Sequence, residues 1–258
     1  MSSSEYPEYV ARNVEAWTQS NAEHTSLRAR DEWARDDINW GVFQVPEADV
    51  NVIGHVDGLD VVELGCGTAY FSAWLAKRGA RPVGVDPTPA QLETARAMQA
   101  EFGLDFPLVE AVGESVPLPD ASFDLAISEY GASIWADPHL WIPEAARLLR
   151  AHGRLVFLRN STIAVLCMAL EGVTEHLQRP QRGLGRIEWP DTKEVEFQTP
   201  HGELIDLLHA SGFALERLIE LYAPDDADNH AYYSDVPAEW ARKWPSEEIW
   251  AARKTGDA

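Results

Sequence analysis

Cysteine, basic residues and long apolar runs are what this 258-residue sequence has least of. Its two cysteines are Cys66 and Cys167. Cys66 stands between two glycines, which argues against a structural disulfide, and the chain reads as cytosolic. No run of about 18 apolar residues occurs, so no membrane span is expected. Met1-Ser2-Ser3-Ser4-Glu5-Tyr6 has neither a basic start nor an apolar core, so no secretory signal is expected there. Lys and Arg total 21 against 42 Asp and Glu, a formal net charge of −21. Nucleic-acid binders carry basic patches, so this balance disfavours a phosphate backbone as partner. Most of the acids read as solvated surface that aids solubility. No pair of His or Cys has the spacing of a structural zinc site, and no metal is expected. No G-x-S-x-G marks a serine hydrolase. Internal repeats and low-complexity tracts are also missing.

What is there suits a single α/β domain with a large core: 45% hydrophobic residues is ordinary for a globular chain. The segment Val61-Val62-Glu63-Leu64-Gly65-Cys66-Gly67-Thr68-Ala69 runs from an apolar strand through an acid into a loop with two glycines one residue apart. A glycine has no Cβ to hold a ligand off the backbone. The loop falls at the carboxyl end of a first strand, where open α/β sheets bind ligands. Asp86 closes the second strand about 20 residues on, the spacing at which an acid meets ribose hydroxyls. A nucleoside cofactor is expected here. The dinucleotide fingerprint G-x-G-x-x-G fails, because its last glycine would fall on Tyr70. Glu63 would repel a pyrophosphate, but it suits a ligand carrying an ammonium and a sulfonium.

Strands and helices then alternate. The pattern predicts strands at 61–64, 82–85, 106–112, 123–128, 153–158 and 213–221, and a last one at 249–253. Helices are expected from Tyr70 to Arg78, from Pro89, from Pro138 to Leu149 and from His201 to Ser211. Gly79 sits as a helix-ending glycine and Pro89 as a first-turn proline. Upstream, Glu5 to Asp37 reads as helical, with Val10, Val14 and Trp17 at helical spacing. The expected fold is α/β and doubly wound (Rossmann-like), a seven-stranded, mostly parallel sheet. A helical cap over residues 1–56 precedes a domain over 57–258, which carries an insertion after strand five at about 159–200.

Four segments in this order resemble the class I S-adenosylmethionine-dependent methyltransferases, type 11 group. They are the glycine loop, Gly84-Val85-Asp86-Pro87, Pro117-Leu118-Pro119-Asp120-Ala121-Ser122-Phe123-Asp124, and Leu148 to Leu155. The resemblance runs from about Leu59 to Lys254. It implies S-adenosylmethionine as cofactor and transfer of its methyl group to a small-molecule acceptor.

By this resemblance Gly65, Cys66 and Gly67 lie along the methionine part, and Glu63 orients the loop or meets the ammonium. Glu63 can equally serve as the charge partner of a helix end. Asp86 and Pro87 would meet the ribose, with capping of the next helix as the alternative for Asp86. Many relatives carry an adenine-binding Asp where this chain has Val112, so Gly113 N–H and the Glu114 carboxylate are expected to serve the adenine instead. A further departure is Ala69, where the family's third small residue is glycine. Ser128 and Glu129 are expected to touch the methionine end through their backbone. Tyr130 and Trp135 are candidates for a substrate pocket, since aromatic faces suit apolar groups and cations. Should the acceptor carry a proton, Glu129, His139 and His201 are the candidate bases. Two alternatives keep the fold without the transfer: a protein that binds the cofactor for other chemistry, or a non-catalytic partner subunit.

Overall fold

Alternation of side chains along the first strand dictates the layers. In Asp60–Leu64 (β1), Val62 and Leu64 join the core on one face of the sheet and Val61 joins the core on the other, all three fully buried. A strand covered on both faces needs helices on both. The computed structural model describes residues 7–189, 193–231, 233 and 235–256. It shows that arrangement.

The main sheet has seven strands: β1, Arg81–Asp86 (β2), Leu108–Glu110 (β3), Phe123–Glu129 (β4), Leu149–Asn160 (β5), Phe213–Leu221 (β6) and Glu247–Lys254 (β7). Their spatial order is β6-β7-β5-β4-β1-β2-β3. The first five run parallel, and β7 lies between β5 and β6, antiparallel to both. The third strand is shorter than its sequence predicts. The fifth is longer, because the chain bulges through Ala151-His152-Gly153, with His152 at φ +65°, and Leu149 still pairs with Phe123 across the register shift.

The upstream helical stretch is not one continuous α-helix. Glu8–Ser20 (α1) passes through a π-helical turn, Asn21–Thr25, into Ser26–Ala34 (α2). Glu5 and Tyr6, the expected start, lie outside the described residues. Tyr70–Lys77 (α3) packs Phe71, Trp74 and Leu75 on the Val61 face, and Gly79 follows it at φ +83°. Pro89–Phe102 (α4) begins on its proline and ends on Gly103 at φ +66°. A short helix, Gly131–Trp135 (α5), follows β4 directly and has no counterpart in the sequence pattern. Pro138–Leu148 (α6) starts under Asp137, whose side chain accepts from His139 N.

Between β5 and β6 the chain forms Thr162–Cys167 (α7), a tight ladder of Met168–Ala169 with Gly172–Val173, a second ladder of Arg186–Glu188 with Val195–Phe197, and then His201–Ala210 (α8). Two small apolar clusters hold these segments over the carboxyl end of the sheet. Phe43, Ala164, Cys167, Ala223, Ala238, Trp240 and Ala241 form one. Tyr9, Val10, Val112, Val195 and Phe197 form the other.

Candidate active site

The glycine corner is shaped by backbone, not by side chains. Gly65 N and Cys66 N both donate to Val85 O, pinning the end of β1 to β2. Gly65 has φ +77°, and a Cβ there would lie 2.5 Å from Gly131 Cα, so only glycine fits. Gly67 has φ +53°, and a Cβ added there would meet only Gln91 Oε1, 3.9 Å away. That face of the loop is open. It looks into a cavity of about 560 Å³ lined by Gly65, Cys66, Gly67, Asp86, Pro87, Gly113, Glu114, Glu129, Tyr130 and Trp135, among others. Sites for small ligands occupy clefts of this size. Ala69 adopts φ +57° immediately before α3, the left-handed conformation that explains the glycine usual there.

Acids surround this corner. Glu63 is buried, and its Oε2 accepts from Ser72 N and Ser72 Oγ, so it caps the start of α3. Burial pushes its carboxyl up to about 8, with some relief from Ser72. Asp86 accepts from Gly67 N through Oδ2 and from Thr88 N through Oδ1, at 2.9 and 2.8 Å. It thus braces both loops while facing the cavity, and burial raises its pKa. Each oxygen keeps a lone pair for a further donor.

Val112 has a clear physical reason. It packs under Tyr9, Val10, Val195 and Phe197, and the Tyr9 and Phe197 rings meet edge-on at 5.1 Å. A carboxylate there would be buried among apolar groups. The acid stands instead at Glu114, whose Oε1 accepts from Tyr9 Oη at 2.8 Å and Asp137 N at 3.1 Å.

Three expected residues fall elsewhere. Ser128 is fully buried and neither its backbone nor its side chain lines the cavity; its Oγ donates to Leu64 O and accepts from Ser133 N, tying β1 to α5. His139 is exposed beside its cap, Asp137, and does not line the cavity. His201 also lies off the cavity, with Nε2 2.7 Å from Glu248 Oε2, and that partner raises its pKa. Both histidines sit in the first turn of a helix, His139 in α6 and His201 in α8.

Glu129 does reach it. Its Oε2 accepts from Tyr70 Oη at 2.5 Å, and its Oε1 accepts from Gly41 N at 3.3 Å. Burial, together with the charge of Glu247, raises its carboxyl to about 7. The next residue, Tyr130, holds φ +55°, rare for a bulky side chain. Its hydroxyl donates to Glu247 Oε1, which also accepts from Val42 N at 2.8 Å. Trp135 meets Trp17 of α1 edge-on at 5.3 Å. Glu247, Tyr70 and the Gly41-Val42 turn are parts that sequence reasoning missed. One signal was available: Glu247 and Glu248 open a strand whose first six residues are all buried.

The strand order and the glycine corner define a Rossmann-like methyltransferase fold. A crystal structure of an S-adenosylmethionine-dependent methyltransferase from Mesorhizobium loti superposes with a TM-score of 0.63 at 24% identity, covering 80% of this chain and 95% of that one. Burkholderia thailandensis 1,6-didemethyltoxoflavin-N1-methyltransferase, with bound 1,6-didemethyltoxoflavin and S-adenosylhomocysteine, does so at 0.57 and 16% identity, covering 96% and 89%. Residues 62–157 match the family model described as "Methyltransferase domain". A ubiquinone biosynthesis O-methyltransferase from Azorhizobium caulinodans is 28% identical over 171 residues, 66% of this chain. This chain spans 64% of that relative's length, just under two thirds. Residues 62–157 are thus a methyltransferase domain similar to those of the class I S-adenosylmethionine-dependent methyltransferases, type 11 group.

Proposed function

We propose that the protein binds S-adenosylmethionine at the glycine corner and transfers its methyl group to a small molecule held under the overlying helices. The observation that carries this reading is the set of acids facing one cavity beside an open glycine backbone. Asp86, Glu114 and Glu129 all have pKa values raised by burial, so the protein surroundings alone disfavour their charge. A ligand with an ammonium and a sulfonium relieves that cost. Hydroxyl-rich ribose suits the spare lone pairs of Asp86.

In this reading Gly65, Cys66 and Gly67 run along the methionine part, with the Glu129 backbone beyond it. Asp86 and Pro87 meet the ribose, and Gly113 and Glu114 the adenine. When bound, the cofactor supplies an activated methyl carbon. The protein's own task is alignment and exclusion of water. Tyr130 and Trp135 form walls for the acceptor. Residues 1–56 act as a helical cap on the domain over 57–258, and the 159–200 insertion and the Tyr232-Tyr233 region complete the cover; Tyr232 lies outside the described residues. The described residues include no helix long and apolar enough to cross a membrane. We place the protein in the cytoplasm, with no nucleic-acid or membrane partner.

Asp86→Ala tests the assignment. Titration calorimetry with S-adenosylhomocysteine should show affinity falling at least tenfold, the scale expected when charge-assisted hydrogen bonds of about 1.5–3 kcal/mol are lost. Unchanged affinity would count against the cofactor site.

A further inference from the structure

Two carboxylates from distant parts of the chain meet on one backbone turn. Gly41 N donates to Glu129, and the neighbouring Val42 N donates to Glu247. Each acid also takes one phenol, Tyr70 for Glu129 and Tyr130 for Glu247. A Cβ at Gly41 would lie 2.2 Å from Glu247 Oε1, so any larger residue there would push the Glu247 carboxylate aside. Among the described residues the hydrogen bonds to these two acids come from backbone N–H and hydroxyl groups, and Arg28, which also lines the cavity, pairs with Glu32 at 3.0 Å. Glu129 ends β4 beside β1, at the level of Gly65, and lines the cavity with the glycine corner.

We propose that Glu129 is a proton-carrying carboxylate that loses its proton when a cationic cofactor enters and then accepts the proton of an N–H or O–H methyl acceptor. This rests on the cofactor reading above and adds what that reading lacks, a base and an acceptor class. The groups facing Glu129 are Tyr70 of α3, Glu63 of β1, Glu32 of α2, and Tyr130 and Glu247; Tyr233 also feels its charge. Apart from the phenols they are acids, so these walls favour retention of the proton and leave the carboxyl about half protonated at pH 7. A sulfonium in the same cavity reverses that preference, and a neutral thioether does not. The chemical step balances. The acceptor atom bonds the methyl carbon, the carbon–sulfur bond breaks with its electron pair left on sulfur, and the acceptor's proton moves to a Glu129 oxygen. An uncharged or cationic acceptor fits these acidic walls, and an anionic one is repelled.

The test needs no known acceptor. Titration calorimetry of the full chain, in two buffers of different ionisation enthalpy, counts protons exchanged on binding. At pH 7, S-adenosylmethionine should release about 0.4 proton more than S-adenosylhomocysteine, as expected for a half-protonated carboxyl whose pKa falls by more than a unit. The excess should fade at pH 9 and vanish in Glu129→Gln. Tyr70→Phe removes a donor to the carboxylate, so its excess at pH 8 should rise above that of the parent protein. Equal counts for the two ligands, or an excess that persists in Glu129→Gln, overturns the proposal while leaving the cofactor site intact. Should Glu129→Gln not fold, a Tyr70→Phe excess at pH 8 no larger than the parent's overturns it. Binding of neither ligand removes the cofactor reading and this proposal together.

Discussion

The glycine corner and the cover above it are built on opposite plans. The corner is backbone against backbone: Gly65 lies on Gly131, and Gly131 in turn lies on the carbonyls of Leu64 and Gly65. The cover has a side chain in every contact: Tyr9 on Glu114, Trp17 on Trp135, and the Glu129 and Glu247 carboxylates on the backbone N–H groups of Gly41 and Val42. Backbone contacts leave no slack, whereas side chains can turn. One half of the cavity is therefore fixed, and the other can adjust to what it encloses.

Paired glycine substitutions would break or sharpen this contrast. Gly65→Ala drives a methyl group into main chain at a positive φ, and neither neighbour can rotate away. Chemical denaturation should show a loss of about 4 kcal/mol, at the upper end for point substitutions. Gly41→Ala also has a positive φ, but its obstacle is the far end of the Glu247 side chain. A loss of about 2 kcal/mol is expected, as for overpacking that a side chain can relieve. If the two losses came out equal, the contrast between fixed and adjustable halves would fail.

A smaller effect should follow pH. Burial raises the Glu129 and Glu63 carboxyls to about 7 and about 8 in the folded protein, above the ordinary glutamate value of 4.5. Groups raised in this way favour the folded state fully below their unfolded pKa, and that contribution is lost as pH rises through the folded value. Melting temperature should therefore fall between pH 5 and pH 8.5, and fall less in Glu129→Gln. Smallest of all, Ala69→Gly should stabilise by about 0.5–1 kcal/mol, because alanine holds a left-handed backbone that glycine adopts freely. A loss on that substitution would show that the strain at Ala69 is absent.

The same division decided what the sequence could tell. Glu63, Gly65, Gly67 and Asp86 lie close together in the chain, so strand period, glycine spacing and the acid at the strand end found them. The capping alternative for Glu63 was also legible, and Ser72 bears it out. The cover could not be read in this way. Tyr9 meets Glu114 across 105 residues, and Tyr130 meets Glu247 across 117. No local pattern encodes such pairings. Helix α5 escaped notice because it is five residues long and starts from two residues at positive φ, Tyr130 and Gly131. The π-helical turn at Asn21–Thr25 was invisible for another reason: its residues look like ordinary helix, and the wider turn comes from how Asn21 and Thr25 bond to Gln91. His139 and His201 were attractive as bases by residue type alone, but topology put them elsewhere.

The antiparallel seventh strand has a consequence for how the molecule is born. It slots between β5 and β6 and brings Glu247 to the turn at Gly41. During translation the glycine corner can form early, from residues already outside the ribosome. The carboxylate pair cannot exist until residues 247–254 have emerged and threaded into the gap held for them. The contacts on the Gly41-Val42 turn are therefore completed only by the last strand to be made, so this side of the cavity closes in one late event instead of growing with length.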